Sequence, residues 1–294
     1  MRTWFVPIGG FIFIAVLLAA CAGVPDKPIR PDGQPEPRPV ESWLADGARV
    51  MWVAPHPDDE LFSGALLARA SIHYGNPLYF LVLTRGEGGE CGLSRGCAPD
   101  LGTVRSGEIE KAAAIYRAKL QLEGFFNAPL PVESFPKRHE LFERWKGEGD
   151  PIGVIASAIK EFKPDLVLTF APDWGATGHP EHQLTSRLVV EALRKAAEGE
   201  GAHKIGRLYF MMNRHPLLRL LGKADPGLVT EGWDATQPCG EITCLEFMIR
   251  ATRMHRTQHR DMQTVAEHRS AFETLYMRQV DPYKERFDPA EPAD

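Results

Sequence analysis

Short apolar runs recur along this chain, and most are followed by a longer stretch in which apolar positions return every three or four residues. Val50-Met51-Trp52-Val53, Leu78-Tyr79-Phe80-Leu81-Val82-Leu83, Leu120 to Phe126, Leu166-Val167-Leu168-Thr169-Phe170 and Arg207-Leu208-Tyr209-Phe210-Met211 read as strands. Near-continuous apolar runs of this length suit strands covered on both faces. Leu61 to His73, Val104 to Ala118, Ile152 to Phe162 and Pro180 to Ala197 carry helical periodicity, with Pro180 suited to a first turn. The alternation predicts an α/β fold, a Rossmann-like three-layer sandwich with a mostly parallel sheet and helices on both faces. A long polar helix is expected from about Leu245 to Gln279, broken near His255. Residues 137–150 and 217–240 lack clean periodicity and read as loops of the kind that shape a pocket.

The first residues follow a different pattern. Arg2 precedes an apolar run, Phe11 to Ala20, that ends at Cys21 and is shorter than the roughly 20 residues needed to span a bilayer. This is the layout of a secretory signal. Leu18-Ala19-Ala20-Cys21 resembles the lipobox of bacterial lipoproteins. That resemblance implies cleavage before Cys21, a lipid on its thiol and a membrane as partner. It also implies an exported, membrane-anchored location, on the outer membrane in a Gram-negative cell, because Ala22 rather than aspartate follows the cysteine. Six prolines between Pro25 and Pro39 favour an extended tether. The expected division is 1–20 signal peptide, 21–45 lipidated cysteine and tether, 46–285 catalytic domain and 286–294 tail. An ordered arm near Trp43 is the alternative for the end of the tether.

Export changes the reading of the cysteines. Beyond Cys21, the other four fall in close pairs, Cys91 with Cys97 and Cys239 with Cys244. In an oxidising compartment, local disulfides are the simplest arrangement. A four-cysteine zinc site is the rival, but these spacings do not suit a zinc ribbon. The 294 residues carry a net charge of −5 and show no basic stripe, which argues against nucleic acid as a partner.

Two clusters carry candidate chemistry. Strand one runs into Pro55-His56-Pro57-Asp58-Asp59-Glu60, and the strand ending at Phe170 runs into Asp173 and then Gly178-His179-Pro180-Glu181-His182. Ligands of open α/β sheets bind at the carboxyl ends of strands. In a helix-like turn, residues three apart share a face, so His56 and Asp59 can address one ion while Asp58 points elsewhere. Nitrogen plus oxygen ligands suit zinc. His56, Asp59, His179 and His182 supply three ligands and one spare imidazole, and Asp58 is free to act as a base. The bland reading of the Asp58-Asp59 pair is a helix N-cap.

These residues also resemble the LmbE/PIG-L family of zinc-dependent amino-sugar N-deacetylases. Four features match in order: Ala54-Pro55-His56-Pro57-Asp58-Asp59-Glu60, Thr84-Arg85-Gly86-Glu87, Arg105 with Glu108, and Gly178-His179-Pro180-Glu181-His182. His255-Arg256-Thr257-Gln258 is a weaker echo. The resemblance implies one Zn2+ per chain, with Fe2+ as an alternative, held by His56, Asp59 and His182. It implies Asp58 as general base, His179 as the imidazole that stabilises the oxyanion, and Arg105 facing an amino-sugar or glycoconjugate substrate. A salt bridge to Glu108 or another nearby carboxylate is the alternative for Arg105. Glu60 reads as a support for the ligands or a helix-start charge, and Asp173 as a turn residue or a support for a histidine. Two positions depart from the family: Thr177 stands where some members carry tyrosine, and Glu181 stands where aspartate is usual. The implied reaction is removal of an N-acetyl group at the cell envelope. A glycan-binding lipoprotein and an amidase acting on a non-sugar amide are the rival readings.

Overall fold

A computed structural model describes residues 38–214 and 219–292. Cys21 and the signal segment lie outside the described residues. Five parallel strands form the centre of the sheet: β1 (Val50–Ala54), β2 (Leu78–Val82), β3 (Ala118–Leu122), β4 (Leu166–Phe170) and β5 (Arg207–Met212). Two further strands, β6 (Glu231–Asp234) and β9 (Thr274–Val280), complete the order β3-β2-β1-β4-β5-β9-β6, with β9 antiparallel to both of its neighbours. A small hairpin pairs β7 (Pro238–Cys239) with β8 (Ile242–Thr243).

The parallel strands are buried on both faces, and alternate residues feed two separate cores. Trp52, Phe80, Leu168 and Tyr209 pack on one side. Val53, Leu81, Val167 and Phe210 pack on the other. The first side is covered by α1 (Val40–Ala45), α2 (Gly64–Ala68), α3 (Leu101–Ile115) and α7 (Cys244–Thr252). The second is covered by α4 (Arg138–Glu148), α5 (Pro151–Phe162) and α6 (Pro180–Ala196). A last helix, α8 (His259–Glu267), follows α7 across the turn at His255. Leaving β1, the chain passes to β2 on one side; β4 lies on the other. The crevice above β1 and β4 is therefore the switch point where α/β sheets place ligands.

Four expectations need correction. The segment from Leu245 to Gln279 is two short helices followed by a strand. Thr274 to Val280 buries Leu275, Met277 and Val280 and fills the place between β5 and β6, so tertiary pairing overrides the helical reading. Residues 138–148 form α4 rather than a loop, because Leu141, Phe142 and Trp145 make a narrow apolar stripe on an otherwise charged helix. The last six residues of the expected tether form α1, whose Val40 and Leu44 are buried in the first core. The expected tail is also packed: Phe287 lies 5.8 Å from the Phe210 ring and Glu291 pairs with Arg187 at 2.5 Å. Both close cysteine pairs are disulfides, with Cα separations of 6.0 Å for Cys91–Cys97 and 4.9 Å for Cys239–Cys244.

Candidate active site

The turn after β1 is sharp. Pro55 still follows the strand, with its carbonyl accepting the Thr84 amide at 2.9 Å. The chain then reverses, and the His56 amide donates to Asp59 Oδ2 at 2.8 Å. Between them Asp58 adopts φ +105°, a region that residues with a Cβ seldom enter. Its side chain makes no helix-capping hydrogen bond, which removes the N-cap reading. The positive φ sends the two neighbouring carboxylates apart: Asp59 turns toward the histidines and Asp58 toward Arg105.

Asp59, His56 and His182 converge. His56 Nδ1 lies 3.2 Å from Asp59 Oδ2, and His182 Nε2 lies 3.1 Å from Asp59 Oδ1. All three side chains are buried, and their candidate ligand atoms fall within 4.8 Å of one another. The far nitrogen of each imidazole is already committed. His56 Nε2 donates to Glu181 Oε2 at 2.5 Å, and His182 Nδ1 donates to the Gly175 carbonyl at 2.7 Å. These acceptors fix the tautomers, so each ring turns a lone pair toward the Asp59 carboxylate. A lone pair facing an anion at 3.1–3.2 Å calls for positive charge between them, a metal ion or, for His56 with no ion bound, the proton it then takes up. The donor set fits zinc.

Burial works against charge on His56, but the Asp59 and Glu181 carboxylates outweigh it and push its pKa up to about 10. Burial opposes charge on Asp59 as well, but His182 and then His56 beside it hold its pKa far below the usual carboxylate range. His56, His179 and Glu181 form a second close group. In that group Glu181 is already engaged, because Asn127 Nδ2 and the Ala128 amide also donate to its carboxylate at 2.8 and 2.7 Å.

Asp58 is partly exposed and 2.8 Å from Arg105. Burial raises its pKa to about 6; Arg105 pulls it down and Asp59 pushes it up. The Arg105 guanidinium is nearly buried. It also donates to the Pro57 carbonyl at 2.5 Å and to the Gly86 carbonyl at 3.0 Å. Its carboxylate partner is thus Asp58. Glu108 instead accepts from the amide and hydroxyl of Thr257, tying α3 to the His255–Gln258 turn. Gly86 has φ +68°, and a Cβ there would sit 2.6 Å from the Arg105 Cζ, so both backbone and space call for glycine.

His179 packs 4.7 Å from the His56 ring and 4.7 Å from Phe135. Its Nδ1 accepts the Glu181 amide at 3.2 Å, which leaves Nε2–H as a donor. Burial, helped by His56 and His182, holds its pKa well below the ordinary histidine value. With Nδ1 taken up as an acceptor, His179 presents a neutral Nε2–H donor.

Other residues take supporting places. His255 and Glu60 form a buried pair at 2.6 Å. Phe170 stacks on the His182 ring at 4.0 Å. Thr177 is exposed, with its hydroxyl 3.2 Å from His182 Nδ1. Asp173 reaches no histidine; Arg278, 3.9 Å away, is its charged neighbour. Sequence reasoning missed Asn127 and the Gly175 carbonyl. It noted Glu181 only as an unusual side chain, although its position in the fourth motif was a usable signal.

Comparison with known proteins agrees with this geometry. Residues 51–193 match the family model described as PIG-L: GlcNAc-PI de-N-acetylase. The chain is 28% identical over 238 residues to the 1D-myo-inositol 2-acetamido-2-deoxy-alpha-D-glucopyranoside deacetylase of Gordonia bronchialis, covering 74% of this chain and 82% of that protein. It is 30% identical over 157 residues to the probable N-acetyl-alpha-D-glucosaminyl L-malate deacetylase 2 of Bacillus anthracis, covering 51% of this chain and 62% of that protein. Its fold is that of the N,N'-diacetylchitobiose deacetylase from Pyrococcus horikoshii, at 16% identity and a TM-score of 0.59 over 83% of this chain and 88% of that one. The family model and the relatives it agrees with show that residues 51–193 of this chain carry a PIG-L (LmbE) family domain.

Proposed function

We propose that this protein is a zinc-dependent N-deacetylase that hydrolyses the acetamide of an N-acetylglucosamine-type substrate at the cell envelope. Its relatives are deacetylases of N-acetylglucosamine conjugates. The observation that carries the reading is the tautomer arrangement of His56 and His182, each anchored at one nitrogen and presenting the other to Asp59.

His56, Asp59 and His182 would hold the ion. When bound, zinc (or Fe2+ in its place) supplies Lewis acidity that polarises an acyl carbonyl and acidifies water. Asp58 receives the proton of the attacking water, and its carboxylate is ionised above about pH 6. Arg105 holds that carboxylate in place from behind. His179 offers Nε2–H to the oxygen that gains charge as the carbonyl is attacked. Asp58 then passes the proton to the departing amine.

Export and lipidation at Cys21 complete the proposal. They rest on the signal pattern, and two disulfides are in keeping with an oxidising compartment. The test of the reaction is amine release from N-acetylglucosamine compounds by metal-loaded, chelated and Asp58→Asn protein. Metal-dependent release that vanishes in Asp58→Asn is expected. Full release by the variant removes Asp58 from the base role. Metabolic labelling with a fatty acid tests the anchor, and label retained by Cys21→Ser overturns it.

A further inference from the structure

Between the Cys91–Cys97 loop and the surface of α7 and α8 lies a cavity of about 600 Å³. Leu93, Ile249 and Met262 give it apolar walls; Arg253, Arg256 and His259 give it cationic and imidazole groups, and no carboxylate lines it. None of those three polar side chains makes a hydrogen bond or ion pair among the described residues. Arg250, one turn earlier on α7, shows the ordinary alternative, with its guanidinium 3.0 Å from Glu246. Asp261 shares the first turn of α8 with His259 and is near enough for the two charges to interact, but it lies outside the lining.

The wall facing these residues is built with little slack. The Gly92 amide donates to the Thr257 carbonyl at 2.8 Å, and Gln258 Nε2 donates to the Glu90 carbonyl at 2.8 Å. A Cβ on Gly92 would lie 2.5 Å from the Thr257 oxygen and 2.9 Å from His259 Nδ1. The disulfide then closes the loop. The cavity also borders the catalytic centre. His255 is part of its lining and bonds to Glu60, the residue after Asp59. Arg105, which holds Asp58, lies against Gly89 at the root of the same loop.

We propose that this cavity is a second subsite of the deacetylase described above, taking an anionic group, carboxylate or phosphate, carried as a substituent on the N-acetylated sugar. Guanidinium groups left without partners on a carboxylate-free wall suit an anion, and Arg253 and Arg256, on either side of the non-helical turn at His255, both line the cavity. The apolar walls suit the C–H face of a sugar ring. The inference rests on the deacetylase reading of the centre.

The test uses full-length protein in an Asp58→Asn background, so that bound probe is not consumed. Calorimetry compares N-acetylglucosamine, its 6-phosphate and its lactyl ether, which carries a carboxylate. One or both anionic probes should bind about tenfold more tightly than the neutral sugar, and added salt should shrink that margin. Arg253→Gln with Arg256→Gln should abolish the margin and leave neutral binding unchanged; both side chains are exposed, so folding is not at stake. The better anionic probe identifies the group. Equal binding of all three probes overturns the subsite, as does an undiminished margin in the double variant. Amine release from neutral N-acetylglucosamine by protein with native Asp58 is measured in parallel. Release without an anion margin sinks the subsite alone. An anion margin with no release from any substrate keeps the subsite and sinks the deacetylase reading.

Discussion

Glu181→Gln isolates what the buried carboxylate does for the metal ligands. The native side chain has no solvent exposure and accepts three hydrogen bonds, from His56 Nε2, Asn127 Nδ2 and the Ala128 amide. Glutamine matches it in volume but keeps one acceptor oxygen. That oxygen can still serve Ala128, which leaves the new NH2 facing His56 Nε2. Two donors cannot share that contact, so His56 must move its proton to Nδ1, the nitrogen that faces Asp59. The lone pair needed for a ligand is then lost. Loss of such an outer partner typically costs 10–100-fold in metal affinity, or about 1.4–2.8 kcal/mol. Competition with a chromogenic zinc chelator measures it. Glu181→Gln should be as weak as Glu181→Ala, despite near-identical packing, whereas Glu181→Asp keeps an acceptor and should lose less. Wild-type zinc affinity in Glu181→Gln refutes the tautomer argument and, with it, the main support for the proposed site.

Three further outcomes follow from the same geometry. Arg105→Met removes the cation 2.8 Å from Asp58, so the Asp58 pKa rises further above about 6 and the acid limb of kcat/KM moves up by about one pH unit or more; an unmoved limb rejects the pairing. Glu231 is raised from 4.5 to about 7 by burial, with Glu41 adding to the shift, so the folded state binds more protons than the unfolded state between those values. Stability from this group is complete below about pH 4.5 and is lost as pH rises through about 7; Glu231→Gln should therefore gain about 1–2 kcal/mol at pH 8 relative to wild type and little at pH 4, checked by urea unfolding. Leu44→Ala empties a fully buried position in α1 and should cost about 2–5 kcal/mol, which unfolding midpoints will show; a cost near zero returns residues 40–45 to the tether.

The central sheet was legible because β1, β2, β4 and β5 are apolar on both faces, a pattern that needs no knowledge of neighbours. β9 was not, since Thr274 to Val280 alternates imperfectly and becomes a strand only where β5 and β6 leave a gap on either side. α1 hides behind prolines: only the burial of Val40 and Leu44 distinguishes it from the tether before it. At the site, His56, Asp58, Asp59, His179 and His182 could be read from two short motifs at strand ends. Their partners could not. Asn127 reaches Glu181 across 54 positions, and Glu60 reaches His255 across 195; no local spacing encodes such contacts.

The division of labour between Asp58 and Asp59 explains why the strained turn is kept. Adjacent carboxylates in one continuous turn would share an environment and repel. Here φ +105° at Asp58 separates them. Asp59 meets two imidazoles and is held anionic at every working pH, as a ligand must be. Asp58 meets burial and a single guanidinium, and its pKa of about 6 suits exchange of a proton near neutrality. Environments that drive two like groups apart in pKa mark an acid–base assignment. The backbone strain, of order 1–3 kcal/mol, is offset by the contacts on either side: Arg105 to the Pro57 carbonyl and Asp58 carboxylate before the turn, and the His56 amide to Asp59 across it. Gly86 enters the same arrangement, because only a residue without a Cβ leaves the Arg105 guanidinium room to hold both.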